Sequence, residues 1–295
     1  MTPAPTSICI IIPYFGQWPF WSDFFFESLS HNPDINWLFY TDCGLPDNPP
    51  PNARFIECSF HDYCQKVSSV LGINFQPSSP YKLCDIKPAY GFIHAEEISE
   101  FDFFAFGDMD VVYGQLRHWL TPDVLKKYDL ISTHNTRVSG HLCLLRNTYN
   151  LRHAFQLVPD WQKVFENPNH CFFDENHFSR LFLLRKNFPT WLRKSIFFFN
   201  TRHRRALFRE AFSTTHARVS WIDGSKNFPS CWTWNNGFLT NNLTGNKDFP
   251  YLHFFMWKME DWKNQPKEKL LADPALYKEA CWTISAEGFQ PANRG

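Results

Sequence analysis

The stretch Phe101-Asp-Phe-Phe-Ala-Phe-Gly-Asp-Met-Asp-Val-Val-Tyr-Gly114 constrains this chain most, because it is an apolar run that ends on two carboxylates, Asp108 and Asp110. Aromatic and β-branched residues without polar alternation predict a strand buried on both faces. A carboxylate at the mouth of such a strand is costly unless something compensates its charge. A divalent cation does so: two Asp one residue apart can present oxygens to a single hard cation, which also binds phosphate oxygens. Gly107 permits close backbone approach just before the pair, and Val111-Val-Tyr113 resumes the apolar pattern after it. A bare Asp-x-Asp also arises by composition alone, as solvated turn carboxylates. Position at the end of a core strand separates the two readings.

The first half of the chain repeats the pattern. Ser7-Ile-Cys-Ile-Ile-Ile-Pro13 predicts a buried strand closed by proline, with Tyr14-Phe-Gly16 as the loop at its carboxyl end. Trp21 to Ser30 predicts a helix, Asn36 to Asp42 a second strand, and Arg54 to Ser59 a third, beyond the Pro-rich loop Leu45 to Pro51. Alternating strands and helices predict an α/β fold with a mostly parallel sheet, in which ligands bind beyond the carboxyl ends of the strands. Pro13, Asp42 and Asp108 all fall at such ends.

Other segments carry charge into apolar surroundings. In Ser78 to Gly91, Lys82, Asp85 and Lys87 punctuate a run that leads into a helix toward Glu97; Lys82 and Asp85 read either as a surface ion pair or as groups near a diphosphate. Tyr128 to Thr133 and Gly140 to Arg146 are further strands, and Cys171 to Arg180 sets Asp174 and Glu175 at a helix start, where acidic residues also serve the helix dipole. Pro229 to Leu239 predicts a β-hairpin with an Asn-Gly turn. His253, within the apolar run Tyr251 to Lys258, is either a satisfied core residue or a third ligand beside Asp108 and Asp110.

Composition narrows the function classes. With 29 basic and 29 acidic residues the net charge is zero, which argues against nucleic-acid binding. Nine cysteines without a Cys-x-x-Cys spacing are neither a disulfide framework nor a zinc site, and Cys9, Cys84 and Cys143 read as buried thiols. The start of the chain lacks a basic leader and no apolar stretch reaches about 18 residues, so a cytoplasmic location is expected. Aromatics make up 18% of residues, a share that predicts aromatic surface toward a ligand or membrane. Between Leu184 and Arg209, Arg185, Lys186, Arg193, Lys194, Arg202, Arg204, Arg205 and Arg209 are interleaved with Trp191 and Ile196 to Phe199. This segment reads as an interfacial element for anionic lipid or as a solvated helical insertion.

IIIPYFG, FYTD, YKLCDIKPAYG, FGDMDVVYG, FDENHF and LHFFMWK resemble, in this order, the layout of a bacterial glycosyltransferase of the GT-A fold, over most of residues 7 to 260. The resemblance implies a Rossmann-type sheet in a single catalytic domain, about 1–265, with a nucleotide-binding half (about 1–115), an acceptor half (about 116–265), a basic and aromatic insertion (about 184–210) and a C-terminal extension, 266–295. It implies a nucleotide-sugar donor, held by Pro13, Tyr14, Phe15 and Asp42, and Mn²⁺ or Mg²⁺ on Asp108 and Asp110 together with the diphosphate. His253 matches a late metal ligand and Lys258 a lysine on the phosphates, although only the His and Lys of a His-x-x-Gly-x-x-Lys-Pro-Trp signature are present, at another spacing.

An inverting transfer also needs a carboxylate to take the proton of the acceptor hydroxyl, and Asp174 or Glu175 is the expected base. The expected function is hexosyl transfer from a nucleotide sugar, UDP-linked, to a glycan or lipid-linked acceptor in surface-polysaccharide or lipopolysaccharide synthesis, at the inner face of the cytoplasmic membrane. Two alternatives stand beside it. A nucleotidyltransferase would use the same carboxylates, but Tyr14-Phe-Gly-Gln-Trp18 has neither several glycines nor a lysine for a phosphate loop. A non-catalytic membrane-associated interaction protein would be indifferent to changes at Asp108 or Asp110.

Overall fold

The apolar runs of the first half become neighbouring strands of one sheet. A computed structural model of the protein describes residues 5–183, 189, 191–192, 195, 199–215 and 219–292. The strands are β1 (Ile8–Pro13), β2 (Ile35–Thr41), β3 (Ala53–Glu57), β4 (Phe103–Gly107), β5 (Val111–Tyr113), β6 (Leu130–Ser132), β7 (Leu142–Arg146), β8 (Ala206–Phe208), β9 (Cys231–Asn235), β10 (Phe238–Asn241), β11 (Tyr251–His253), β12 (Cys281–Ser285) and β13 (Gly288–Pro291). The main sheet has the order β3-β2-β1-β4-β7-β6-β8. β1 runs parallel to β2 and β4, and β6 parallel to β8, whereas β7 is antiparallel to both its neighbours. The fold is thus α/β with a mostly parallel sheet, as expected.

Both faces of that sheet are covered. Along β1, Cys9 and Ile11 face one core while Ile8, Ile10 and Ile12 face another; along β4, Phe104 and Phe106 oppose Phe103 and Ala105 in the same way. This is why these runs are continuously apolar rather than alternating. The helix α1 (Ser22–Ser30) packs on one face and α2 (Phe60–Leu71) on the other, α2 opening on a Ser59 cap and closing at Gly72 with φ +64°. Gly91 touches the sheet directly, since a Cβ there would lie 2.5 Å from the Phe104 ring.

The order of the sheet creates a crevice. The chain passes from β1 outward to β2 and β3, then returns to the other side of β1 as β4. At such a switch point the loops beyond two adjacent parallel strands diverge and leave room for a ligand. Tyr14 follows β1 at this point and Asp108 follows β4.

Past Asp110 the chain leaves the main sheet. β5 pairs antiparallel with β11, in the register Val111↔His253 and Tyr113↔Tyr251. A second sheet, β10-β9-β12-β13, carries the predicted hairpin, whose Asn236 and Gly237 both have positive φ, +46° and +83°. Residues 266–295, expected as an extension, supply β12 and β13, and β12 is an inner strand of this sheet. Trp234 and Trp282 stack with ring centroids 4.8 Å apart, and with Trp232, Phe24 and Phe289 they form a third core. Trp37, Trp232, Trp234, Trp257 and Trp282 are fully buried. Much of the aromatic content therefore serves packing, each such side chain contributing about 1.5–3 kcal/mol by burial.

The basic and aromatic segment is not simply an insertion. Residues 184–188, 190, 193–194 and 196–198 lie outside the described residues, and with them most of that expectation. Its later part supplies the edge strand β8. Arg205 donates to Asp129 (Nη2 to Oδ1, 2.6 Å) beside Arg146, and Arg209 lies over the Trp119 ring at 3.8 Å, so these two cations are engaged within the fold. Among the described residues, no helix is long and apolar enough to cross a membrane, and all nine cysteines are free, Cys9 and Cys143 buried and Cys84 half-buried.

Candidate metal and donor site

Two elements distant in sequence, the loop after β4 and strand β11, bring Asp108, Asp110 and His253 together. The loop after β4 carries the two Asp, and the indole of Trp21 fixes its middle by donating to the Met109 carbonyl at 2.9 Å. The β5–β11 register then sets His253 opposite Val111, one residue beyond Asp110. One ligand atom from each residue lies within 4.8 Å of the other two. Ligands on opposite sides of a cation lie about 4–5 Å apart, given metal–ligand distances of about 2.0–2.3 Å. Two carboxylates and an imidazole at this spacing fit Mn²⁺ or Mg²⁺ as a partial set, with remaining positions left for phosphate oxygens and water. The Asp108 side chain is 31% exposed and forms the open side.

The orientation of His253 is set from behind. Its Nδ1 lies 3.1 Å from the Thr214 hydroxyl, and its Nε2 lies 3.5 Å from Asp110 Oδ1. Holding the far ring nitrogen is the usual way in which a ligating His is aimed. His141 stacks on the same ring with centroids 4.2 Å apart, and Phe255 lies on it at 5.8 Å.

Each carboxylate also meets a lysine. After β11 the chain turns into the short helix Phe255–Met259, which returns Lys258 to Asp110, where its ammonium donates to Oδ2. Burial raises the Asp110 pKa, but His253 and Lys258 outweigh it and hold the group well below the ordinary carboxylate range. Lys87 is buried, donates to Asp108, and also to the Gly140 carbonyl at 2.9 Å.

On the far side of Lys87 lies Asp174, inside a π turn over Phe173–His177. It is buried, and burial pushes its carboxyl up to about 7 against the opposing charge of Lys87. A Cβ at Gly140 would come within 3.1 Å of Asp174 Oδ2 and 3.8 Å of Lys87 Nζ, so only glycine fits there without displacement. The turn has no side-chain cap, so Asp174 does not cap it. Glu175 is partly exposed and pairs with Arg137 at 3.2 Å.

The expected nucleotide side is mixed. The Gly16 amide donates to the Asp42 carboxylate at 2.7 Å, tying the loop after β1 to the end of β2. Tyr14 stacks on Trp18 at 5.5 Å, and its hydroxyl is pushed up, chiefly by burial. Pro13 is half-buried at the end of β1. Phe15, expected at the nucleotide, is instead buried against Phe60 and Tyr63 at 5.2 and 5.3 Å.

Lys82 and Asp85 call for a second correction, because they are neither a surface pair nor open to a ligand. The pair is buried (2.8 Å), and Lys82 also donates to the carbonyls of Val164 and Asn169 at 2.7 and 2.9 Å. All three N–H groups of the ammonium are thereby used within the protein. Sequence reasoning missed His141, Thr214 and Gly140, all of which adjoin the site.

The chain belongs to a family of unknown function, DUF6625, whose profile matches residues 10–280. No curated protein matches its sequence. Among solved structures it is similar to mouse xyloside xylosyltransferase 1 (10% identity, TM-score 0.41), over 85% of this chain and 98% of that one. It is also similar to the galactosyltransferase LgtC in complex with donor and acceptor sugar analogs (11% identity, TM-score 0.34), over 59% of this chain and 69% of that one.

Proposed function

We propose that this protein is a metal-dependent glycosyltransferase that moves a sugar from a nucleotide-sugar donor, UDP-linked, to a glycan or lipid-linked glycan acceptor of bacterial surface polysaccharide or lipopolysaccharide. The observation that carries the reading is the convergence of Asp108, Asp110 and His253 on one point at the crevice between β1 and β4. There they would hold Mn²⁺ or Mg²⁺, which supplies positive charge to the departing diphosphate. Lys258 adds charge at the same place and would turn from Asp110 to a phosphate oxygen. Tyr14 and Asp42 line the nucleotide side, and Lys87 holds Asp108 in position from the interior.

Asp174 is assigned the general base. A carboxyl near pH 7 is matched to removing a hydroxyl proton, and Lys87 stabilises the carboxylate form. Glu175, paired with Arg137, is the weaker candidate. The basic segment would dock the protein at the inner face of the cytoplasmic membrane, with Trp191 and Phe199 exposed for that contact. Absence of co-sedimentation with anionic liposomes would remove this part of the reading.

The test is a panel of nucleotide sugars with and without Mn²⁺, read by thermal stabilisation and donor hydrolysis. Stabilisation by a UDP-sugar only when Mn²⁺ is present supports the reading. A protein that no donor stabilises in a metal-dependent way is not a glycosyltransferase of this kind.

A further inference from the structure

The buried Lys82–Asp85 pair lies outside the metal cluster, yet it shapes the segment that leads into Asp174. Asp85 accepts the Cys171 amide at 2.7 Å on one carboxylate oxygen and the Phe173 amide at 2.8 Å on the other. Burial raises its pKa, but His170, Lys82 and these amides overcome that and hold it at about 2, so it stays an anion. Two amides flanking one residue and aimed at a single anion form a backbone nest, which requires a left-handed conformation nearby. Phe172 takes it, with φ +57° and ψ +40°.

For a bulky residue this conformation is strained. The strain has a directional result. Phe173 points into the core, 4.7 Å from Phe165, while Phe172 is turned outward and 51% exposed. Its ring lies 4.3 Å from His170, which in turn lies 4.8 Å from Tyr81, itself 58% exposed. The Phe172 and Tyr81 rings are inclined to that of His170 by 60° and 64°, so Phe172 offers one open face with the other two rings edge-on beside it, and the π turn carrying Asp174 begins at the next residue. Glycine at 172 would satisfy the same nest without the strain and without exposing a ring. A π turn and a strained aromatic side by side are features that cluster at functional sites.

We propose that the exposed face of Phe172, flanked by His170 and Tyr81, is the platform on which the acceptor sugar ring stacks, with the Lys82–Asp85 pair acting as the clamp that presents it. A pyranose has one face of C–H groups, which suits an aromatic surface, and hydroxyls at its edge, one of which would meet Asp174. The assignment to the acceptor rests on the proposed function, through the role given to Asp174. The nucleotide lies toward Tyr14 and Asp42, at the ends of other strands.

The test uses the full-length protein and saturation-transfer NMR with the methyl α- and β-pyranosides of glucose, galactose and mannose, with uridine as the competing probe. One or more pyranosides should receive saturation on ring C–H protons, an effect about tenfold weaker in Phe172→Gly and restored in Phe172→Trp. Phe172→Gly should also raise the melting temperature by about 1–4 °C, because glycine accepts the left-handed backbone. The platform is overturned if no pyranoside receives saturation, if Phe172→Gly leaves the transfer unchanged, or if uridine alone loses it. Donor binding is measured separately on the wild type, so a protein that binds pyranosides but no nucleotide sugar counts against the function and not against the platform.

Discussion

The Lys–Asp pairs Lys82–Asp85, outside the metal cluster, and Lys258–Asp110, within it, differ in how completely they are satisfied. Around Lys82 and Asp85, the lysine serves two carbonyls as well as its partner, and the carboxylate accepts two backbone amides. At Lys258 and Asp110, the lysine is 31% exposed and the carboxylate faces His253, with Asp108 and the crevice beyond. The first pair is closed and holds backbone. The second has coordination capacity left over, and that surplus, rather than burial or charge, marks a binding site.

Substitutions that separate the pairs should reveal the difference. The largest loss is expected for Lys82→Met, which leaves Asp85 and two carbonyls without their cation; chemical denaturation should report a loss of about 3–5 kcal/mol that Mn²⁺ does not recover. Asp174→Asn acts in the other direction. The folded pKa of Asp174 is raised above the unfolded value, so its proton is held longer in the folded state, and stability present below the unfolded value declines as pH rises toward about 7. The amide removes that slope, and Asp174→Asn should be about 1–3 kcal/mol more stable than wild type at pH 8, equal to it near pH 4, and inactive. Wild-type transfer should rise with pH through about 7 and then level off, as expected for a base with that pKa. Lys258→Met should cost the least, about 1–2 kcal/mol, and Mn²⁺ should restore it by taking the place of the lost charge. A Lys258→Met loss that Mn²⁺ leaves untouched would make the two pairs equivalent and remove the distinction.

What the sequence made legible followed from local pattern. The parallel half of the sheet, Asp108 and Asp110 at the end of β4, and the Asn-Gly hairpin could be read from apolar runs and turn residues alone. His253 was open between a core residue and a third ligand and Lys258 entered through the resemblance, and the β5–β11 register and the short helix after it supply the physical reason they reach Asp110. The failures share a cause, which is direction or partner choice made by tertiary structure. β7 runs against its neighbours, so the residues that lead into it, Gly140 and His141, lie at the edge where parallel strands end; attention to carboxyl ends alone passes over them. An i,i+3 Lys–Asp spacing looks the same on a surface helix and in a core, and only the carbonyls of Val164 and Asn169 decide for Lys82. Phe15 sits in a loop, where an aromatic side chain turns inward or outward according to what packs on it, here Phe60 and Tyr63. The share of aromatics suggested surface toward a ligand or membrane because the second sheet, half of it built from the last residues, could not be foreseen as the destination of many of them.

The central claim is that Asp108, Asp110 and His253 form one cation site, and titration of Mn²⁺ followed by electron paramagnetic resonance tests it most directly. In the presence of UDP, one ion should bind per chain, Asp110→Asn should abolish binding, and His253→Gln should weaken it by about 10–100-fold. Mn²⁺ binding that survives Asp110→Asn, or no binding by the wild type, would contradict the account.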